Sequence, residues 1–333
     1  MSTKDAVLRS LVSPIHPLLE EARAVLEREI ADPSPAAQDM LDHISRFRGK
    51  QVRGALLLLS GEATGALSDE HPTMAAVVEM IHLATLVHDD VLDGAEVRRR
   101  VACVNQRWDN QVAILLGDFL YTRAFGLSLT LENSYCSRVL AETSRKICVG
   151  EIEQSTLRYH FDLAQADYER IAGAKTACLI SAACELGARY PEAGFSAERD
   201  ACGDEMAAYG WEVGLAFQIV DDCLDLEGDP ERVGKSVGND AEDGKVTLPI
   251  LCAYWDADEA MRGAIREVYT KPDLDRRAVR LHDVCDVERG VEFAMARARE
   301  LVDSATARVQ ALPESAARDA LVDIGDYVLE RKW

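Results

Sequence analysis

The chain is poor in aromatic residues, poor in positive charge and free of long uninterrupted apolar runs. Phe, Trp and Tyr make up 6% of its 333 residues, while Ala, Leu, Val and Glu abound, a balance that favours helices over sheets. Thirty-seven Lys and Arg stand against 58 Asp and Glu, giving a formal net charge of −21. Such a field excludes nucleic acid as a natural partner and repels anionic membrane surfaces. It repels an anionic substrate too, unless metal ions and local Lys/Arg clusters reverse the sign. No apolar run reaches the ~18 residues that span a bilayer, so no stable membrane insertion is expected. The start of the chain lacks a charged segment followed by an apolar one, and the expected location is the cytoplasm. Nine cysteines are scattered at 103, 136, 148, 178, 184, 202, 223, 252 and 285 without a C-x-x-C pair, and read as reduced thiols.

The common catalytic signatures are missing as well. There is no G-x-S-x-G, H-E-x-x-H or G-x-G-x-x-G. Gly234-Lys235-Ser236 resembles the end of a phosphate-binding P-loop, but the first glycine would have to stand at Asp229. Asn239 to Gly244 approaches a calcium loop, yet Ala241 fills a ligand position. His82 and His88 are six residues apart on different helix faces, so they are no zinc pair.

What is present is helical periodicity. Apolar positions recur at helical spacing over 15–31, 36–64, 72–93, 109–131, 134–160, 165–188, 197–228, 242–254, 257–269, 275–285, 287–311 and 314–331. No alternating strand pattern stands out, and no linker, repeat or low-complexity tract divides the chain. The expected fold is all-α: one large helical-bundle domain over 1–333 around a deep central cavity.

Two aspartate clusters share one spacing: Asp89-Asp90-Val91-Leu92-Asp93 and Asp221-Asp222-Cys223-Leu224-Asp225. On a helix, i and i+4 share a face and i+1 lies at its edge, so each set aims three carboxylates at one region. Both follow apolar stretches, Ile81 to His88 and Val213 to Val220. Like charges there repel, more so where water is excluded, and call for a cation. With no His or Cys ligand set nearby, the donors suit Mg²⁺ or Mn²⁺ rather than zinc. Arg98-Arg99-Arg100 follows the first set; guanidinium forks grip phosphate oxygens, and the pairing makes a metal-plus-diphosphate clamp.

In this order the motifs resemble a trans-type isoprenyl (polyprenyl) diphosphate synthase from about residue 45 onward. Gly49-Lys50-Gln51-Val52-Arg53 resembles that family's G-K-x-x-R motif, and Gly117-Asp118-Phe119-Leu120 its G-D-(F/Y)-L. Gly150-Glu151-Ile152-Glu153-Gln154 and Lys175-Thr176 resemble G-E-x-x-Q and K-T, and Gly234-Lys235 through Asp240 to Gly244-Lys245 the G-K-x-x-G-x-D…G-K loop.

The resemblance implies an all-α homodimer that condenses isopentenyl diphosphate head-to-tail with an allylic diphosphate (dimethylallyl, geranyl or farnesyl). Asp89, Asp93 and Asp221 would hold three Mg²⁺ ions, Mn²⁺ being a substitute, with Asp90, Asp222 and Asp225 in support. Arg98, Lys175 and Lys235, with Lys245 nearby, would grip the allylic diphosphate; Lys50, Arg53, His82 and Arg99 would hold isopentenyl diphosphate. Gln218 and Thr176 would stand near the allylic cation. Arg100-Val101-Ala102-Cys103 departs from the family's Gly-x-Pro-Thr. The growing tail would run along the helix upstream of Asp89, past Thr85 and Ala84 toward Ile81, Met80 and Val77. A four-residue step is ~6 Å, comparable to one isoprene unit. The small side chains at 84 and 85 imply a product longer than farnesyl. The alternatives are a terpene cyclase or head-to-head synthase of the same fold, and a regulatory subunit of a heteromeric synthase.

Overall fold

The computed structural model describes residues 10–31, 34–47, 51–98, 101–190, 196–227, 238–272, 274 and 276–331. The helices are α1 (His16–Ile30), α2 (Pro35–Ile44), α3 (Val52–Ala63), α4 (His71–Leu92), α5 (Val104–Arg107), α6 (Asn110–Ser128), α7 (Tyr135–Thr156) and α8 (Gln165–Ala172). They continue as α9 (Cys178–Arg189), α10 (Ala197–Glu227), α11 (Asn239–Glu242), α12 (Leu248–Asp256), α13 (Glu259–Thr270), α14 (Arg277–Val284), α15 (Val287–Gln310) and α16 (Ala316–Leu329). The only strands among the described residues are β1 (Val97–Arg98) and β2 (Val101–Ala102), an antiparallel pair. The fold is that of an all-α protein.

Four details differ from the periodicity. The 36–64 stretch is two helices, because a 3₁₀ turn at Ser45–Phe47 ends the first and Gln51 enters the second at φ 49°. The 165–188 stretch is interrupted by a π-turn, Gly173–Ala177. The 242–254 stretch breaks at Gly244 (φ 76°), and α12 starts only at Leu248 with Pro249 in its first turn. The β1–β2 ribbon, α5 and α11 are too short to leave a periodic signal.

The chain forms two compact units. The first comprises Met1–Ser144, Leu179–Gly210 and Thr306–Ile324. Its axis is α4, buried on most of its surface over its first three turns: Met74 to Val78, Met80, Ile81 and Ala84 are each at most 1% exposed. Helices α1, α3 and α6 pack around it. Glycines permit the closest approaches. A Cβ on Gly117 of α6 would stand 2.1 Å from His88 Nε2 of α4, and one on Gly187 of α9 would stand 2.0 Å from the Leu57 carbonyl of α3. The first turn of α4 is fastened by buried His71, whose Nε2 donates to Gly187 O (3.0 Å) while Nδ1 accepts from the Ser68 amide (3.0 Å). Burial lowers its pKa, so the ring is neutral and carries its proton on Nε2.

The second unit comprises Arg145–Cys178, Trp211–Ala305 and Gly325–Trp333. Arg297 of α15 grips Glu169 of α8 with Nε (2.8 Å) and Nη2 (3.0 Å). Gly290 passes against the Pro249 carbonyl, where a Cβ would come within 2.1 Å. Phe161 packs on Tyr254 and Tyr269 at 4.8 and 5.2 Å between ring centres. One helical stretch, Gln165–Arg189, is apolar and long enough to cross a membrane, but 72% of its apolar window is buried inside the protein.

Candidate active site

The first aspartate set forms the end of α4. Asp89 is half-buried, Asp90 is 1% exposed and Asp93, the C-cap, is exposed. The helix therefore turns Asp90 inward and the other two outward. Asp90 Oδ1 accepts from both Nε (2.8 Å) and Nη2 (2.7 Å) of Arg98 on β1. Burial works against the guanidinium's charge, but these bonds and the charges of Asp90 and Asp89 outweigh it and raise the Arg98 pKa. Asn105 Nδ2 closes the intervening turn by donating to the carbonyls of Asp90 (3.1 Å) and Ala95 (3.2 Å). The ribbon is pinned from below by His43, edge-on between Phe47 and Trp108. Arg107 donates to His43 Nδ1 (2.9 Å), so Nε2 carries the proton and donates to Ala102 O (2.8 Å). Upstream, His82 and Thr85 are half-buried and Met80, Ile81 and Ala84 fully buried. Arg53 is half-buried on α3, beside Gly54, whose amide donates to Glu79 Oε1 (2.8 Å).

The second set ends α10, and its three carboxylates have three different surroundings. Asp221 is the most open, with its side chain 38% exposed; Arg331 reaches its Oδ1 (3.3 Å) while lying over the Phe217 ring. Asp222 is buried, with Oδ1 accepting from Gln218 Nε2 (2.7 Å) and Oδ2 from the Tyr168 hydroxyl (2.6 Å). Burial, then the charge of Asp240, push its pKa far above the carboxylate range. Asp225 accepts backbone amides instead: Gly238 (3.1 Å) and Asn239 (3.3 Å) on Oδ1, Asp240 (3.1 Å) on Oδ2. Burial and Asp240 push its pKa up to about 7 against the pull of those amides.

The π-turn supplies Lys175 and Thr176. Inserting a residue into a helix re-aims side chains and recurs at functional sites. Lys175 Nζ is held by Glu151 Oε1 (2.8 Å) and Gln154 Oε1 (3.0 Å), both from the G-E-x-x-Q stretch of α7. Gly150 makes the contact possible, since a Cβ there would stand 3.0 Å from the Lys175 amide nitrogen. The Thr176 hydroxyl donates to Gln218 Oε1 (2.6 Å). Lys245 is tethered to Asp243 (3.0 Å) and Asp240 (3.6 Å). Gln154, Tyr168, Lys175, Gln218, Asp222 and Lys245 line one cleft with ≈ 620 Å³ of open space, floored by Leu157, Leu163, Ile171 and Val246.

The sequence-predicted residues thus fall into two groups, one within each unit. Lys50, Arg99, Arg100 and Lys235 lie outside the described residues. Sequence reasoning missed Tyr168, although it sits seven residues before Lys175 at helical spacing from Ile171 and Ala172. It quoted Glu151 and Gln154 without seeing that their i, i+3 spacing lets one helix face clasp a lysine.

Among the described residues, no three His, Cys, Asp or Glu side chains gather closely enough to enclose a metal ion by themselves. Mg²⁺ asks for less: one or two carboxylates, the remaining positions going to water and phosphate oxygens. The donors fit that requirement, being all oxygen, with Asp89, Asp93 and Asp221 open to solvent. Among the described residues, the buried Asp90 Oδ2 has no hydrogen-bond partner. A cleft with two lysines, an acidic rim and an apolar floor suits a molecule with a charged head and a hydrocarbon tail.

The polyprenyl synthetase family model matches residues 34–282. The chain is 32% identical over 326 residues to "heptaprenyl diphosphate synthase component 2" of Geobacillus stearothermophilus, covering 98% of this chain and 99% of that one. It superposes on a decaprenyl diphosphate synthase from Rhodobacter capsulatus with a TM-score of 0.87 at 30% identity, over 97% and 98% of the two chains. A polyprenyl synthase from Caulobacter crescentus CB15, solved with calcium and isoprenyl diphosphate, gives 0.88 at 29% identity with the same coverage.

Proposed function

The chain belongs to the polyprenyl synthetase family, and from that premise we propose which of its residues carry the family's reaction and how. It is a prenyltransferase that condenses isopentenyl diphosphate head-to-tail with an allylic diphosphate to give a trans-polyprenyl diphosphate. The observation that carries the residue-level reading is the second unit's cleft, where one apolar-floored space collects Lys175, Lys245, Gln218 and Asp222.

In this reading Asp89, Asp93 and Asp221 would hold Mg²⁺, three ions as the family resemblance implies, and the metal would supply the positive charge that neutralises the leaving diphosphate. Asp90 and Asp225 act from behind: Asp90 fixes the Arg98 side chain, and Asp225 fixes the turn into α11 by its three amide bonds. Arg98 spends Nε and Nη2 on Asp90 and offers Nη1 to the substrate phosphate. Lys175 and Lys245 are held in place by their acids and grip the allylic diphosphate without a search over rotamers. Lys50, Arg53, His82 and Arg99 bind isopentenyl diphosphate, and Lys235 joins Lys175. Once the allylic C–O bond ionises, Gln218 and Thr176 present oxygens to the cation while the apolar floor keeps water away. The isopentenyl double bond attacks, a proton leaves to the released diphosphate, and the chain grows by one isoprene unit.

The tail runs along α4 past Thr85 and Ala84, with Ile81, Met80 and Val77 as successive floors, giving a product longer than farnesyl. We further propose that the enzyme acts in the cytoplasm, where its nine free cysteines stay reduced, and as a homodimer built on α6, where Ile114 and Leu115, with Leu129 just past the helix end, are exposed (45, 59 and 71%). A second reading has one specific support: the Geobacillus relative is named as a component, which suits assembly with a different subunit. Purified protein supplied with Mg²⁺ and an allylic diphosphate, with and without isopentenyl diphosphate, separates the readings. The synthase forms longer diphosphates only with both substrates. A cyclase consumes the allylic substrate alone, and a component subunit turns over nothing until its partner is added.

A further inference from the structure

We infer that Tyr168 is a positioning residue that fixes the direction of the hydrogen-bond chain facing the reacting carbon. The inference rests on the synthase reading above and goes one layer behind its residues.

Three short bonds run in series. Tyr168 Oη donates to Asp222 Oδ2 (2.6 Å), Gln218 Nε2 donates to Asp222 Oδ1 (2.7 Å), and Thr176 Oγ1 donates to Gln218 Oε1 (2.6 Å). Their directions are not independent. With Asp222 accepting on Oδ1, whether the acid is ionised or protonated on its other oxygen, the amide presents its NH₂ end there, which turns the amide oxygen toward Thr176, and a hydroxyl facing a carbonyl must spend its single hydrogen there. What remains on Gln218 Oε1 and Thr176 Oγ1 is lone pairs only, the polarity that stabilises a carbocation. Were the amide flipped, its NH₂ would point into the same region and oppose the positive charge.

Tyr168 anchors the far end. It is 7% exposed, on α8 with Ile171 and Ala172, and its ring lines the cleft wall while its hydroxyl points at Asp222. Pinning Oδ2 stops the carboxylate from rotating and keeps Oδ1 aimed at Gln218. Tyr168 itself touches no reacting atom in this scheme.

The test is Tyr168→Phe, which deletes one buried oxygen. After ionisation the allylic cation has two fates: the isopentenyl π electrons form a C–C bond with loss of a proton, or water forms a C–O bond, loses a proton and gives the free allylic alcohol. A loosened chain should lower kcat about tenfold, leave both KM values within about twofold, and raise the alcohol-to-prenyl-diphosphate ratio several-fold. It should also weaken, by about tenfold, the binding of an analogue with an ammonium nitrogen at the reacting carbon, while a neutral thio-analogue binds as before. A purely structural tyrosine lowers the melting temperature and leaves the product ratio and the cation preference unchanged, and that result overturns the inference. If Tyr168→Phe does not fold, Gln218→Met removes the oriented amide at similar volume and must show the same two changes; a normal ratio there overturns it equally. Wild-type protein that elongates nothing sinks the synthase reading and takes this inference with it. Wild-type protein that elongates, with an unaltered Tyr168→Phe variant, sinks the inference alone.

Discussion

Asp90→Asn tests the fastening of the arginine ribbon by the one buried acid of the first set. Asp90 is 1% exposed and receives two nitrogens of a guanidinium that is itself only 20% exposed. Charge-assisted hydrogen bonds contribute roughly 1.5–3 kcal/mol each, and breaking a fully buried pair costs about 3–5 kcal/mol. Because Arg98 retains some water and an asparagine oxygen can still accept one bond, the expected loss is about 2–3 kcal/mol. Urea unfolding measures it, with the slope checked so that a change in midpoint reports stability alone. A second readout follows from the ribbon: freed from Asp90, Arg98 should disperse and weaken Mg²⁺-dependent binding of inorganic diphosphate. Replacing both partners by apolar residues, Asp90→Leu with Arg98→Met, should recover much of the stability and none of the diphosphate affinity. An Asp90→Asn variant within about 0.5 kcal/mol of wild type would refute the claim that this carboxylate holds the ribbon.

Three further expectations can be checked alongside. Ala84→Phe places a ring on the proposed tunnel wall five residues, about one and a half turns, before Asp89 and should shorten the product; identical product masses from the two enzymes would remove α4 from length control. Asp225 has its folded pKa raised to about 7, so in metal-free protein it binds a proton the unfolded chain lacks, and stability conferred by that proton is lost as pH rises through about 4 to 7. Wild type should therefore lose stability relative to Asp225→Asn across that window and run parallel to it above; a pH-independent difference contradicts the burial assigned to this acid. Leu115→Glu puts a charge on the most exposed large apolar residue of α6 and, for the proposed homodimer, should halve the mass seen by light scattering, whereas an unchanged mass contradicts a dimer built on this helix.

Much of this was legible in the sequence because long helices carry many repeats of one spacing. The span 72–93 lies within one residue of α4, and 287–311 within one residue of α15. What escaped were features a few residues long or set by single dihedrals: the left-handed Gln51 that splits α2 from α3, the π-turn under Lys175, and the ribbon carrying Arg98. The acidic sets were visible as strings, but their inequality was not. Three aspartates of identical spacing become an open carboxylate, a buried one gripped by Tyr168 and Gln218, and one consumed by backbone amides, because each meets a different neighbour distant in sequence. Local spacing says which side chains share a face; it does not say what stands opposite that face. The lysines were likewise legible as residues and illegible as partners, since Glu151, Gln154, Asp240 and Asp243 take them up through tertiary contacts.

Both aspartate sets are proposed to act on one diphosphate. Calorimetric titration of inorganic diphosphate in Mg²⁺ into wild type, Asp89→Asn, Asp221→Asn and the double variant tests it most directly. Shared action requires coupling: each single variant weakens binding strongly, and the double variant loses less than the sum of the two single losses, the difference being an interaction energy of about 0.5–3 kcal/mol. Losses that add to within about 0.3–0.5 kcal/mol, the behaviour of independent sites, would contradict it.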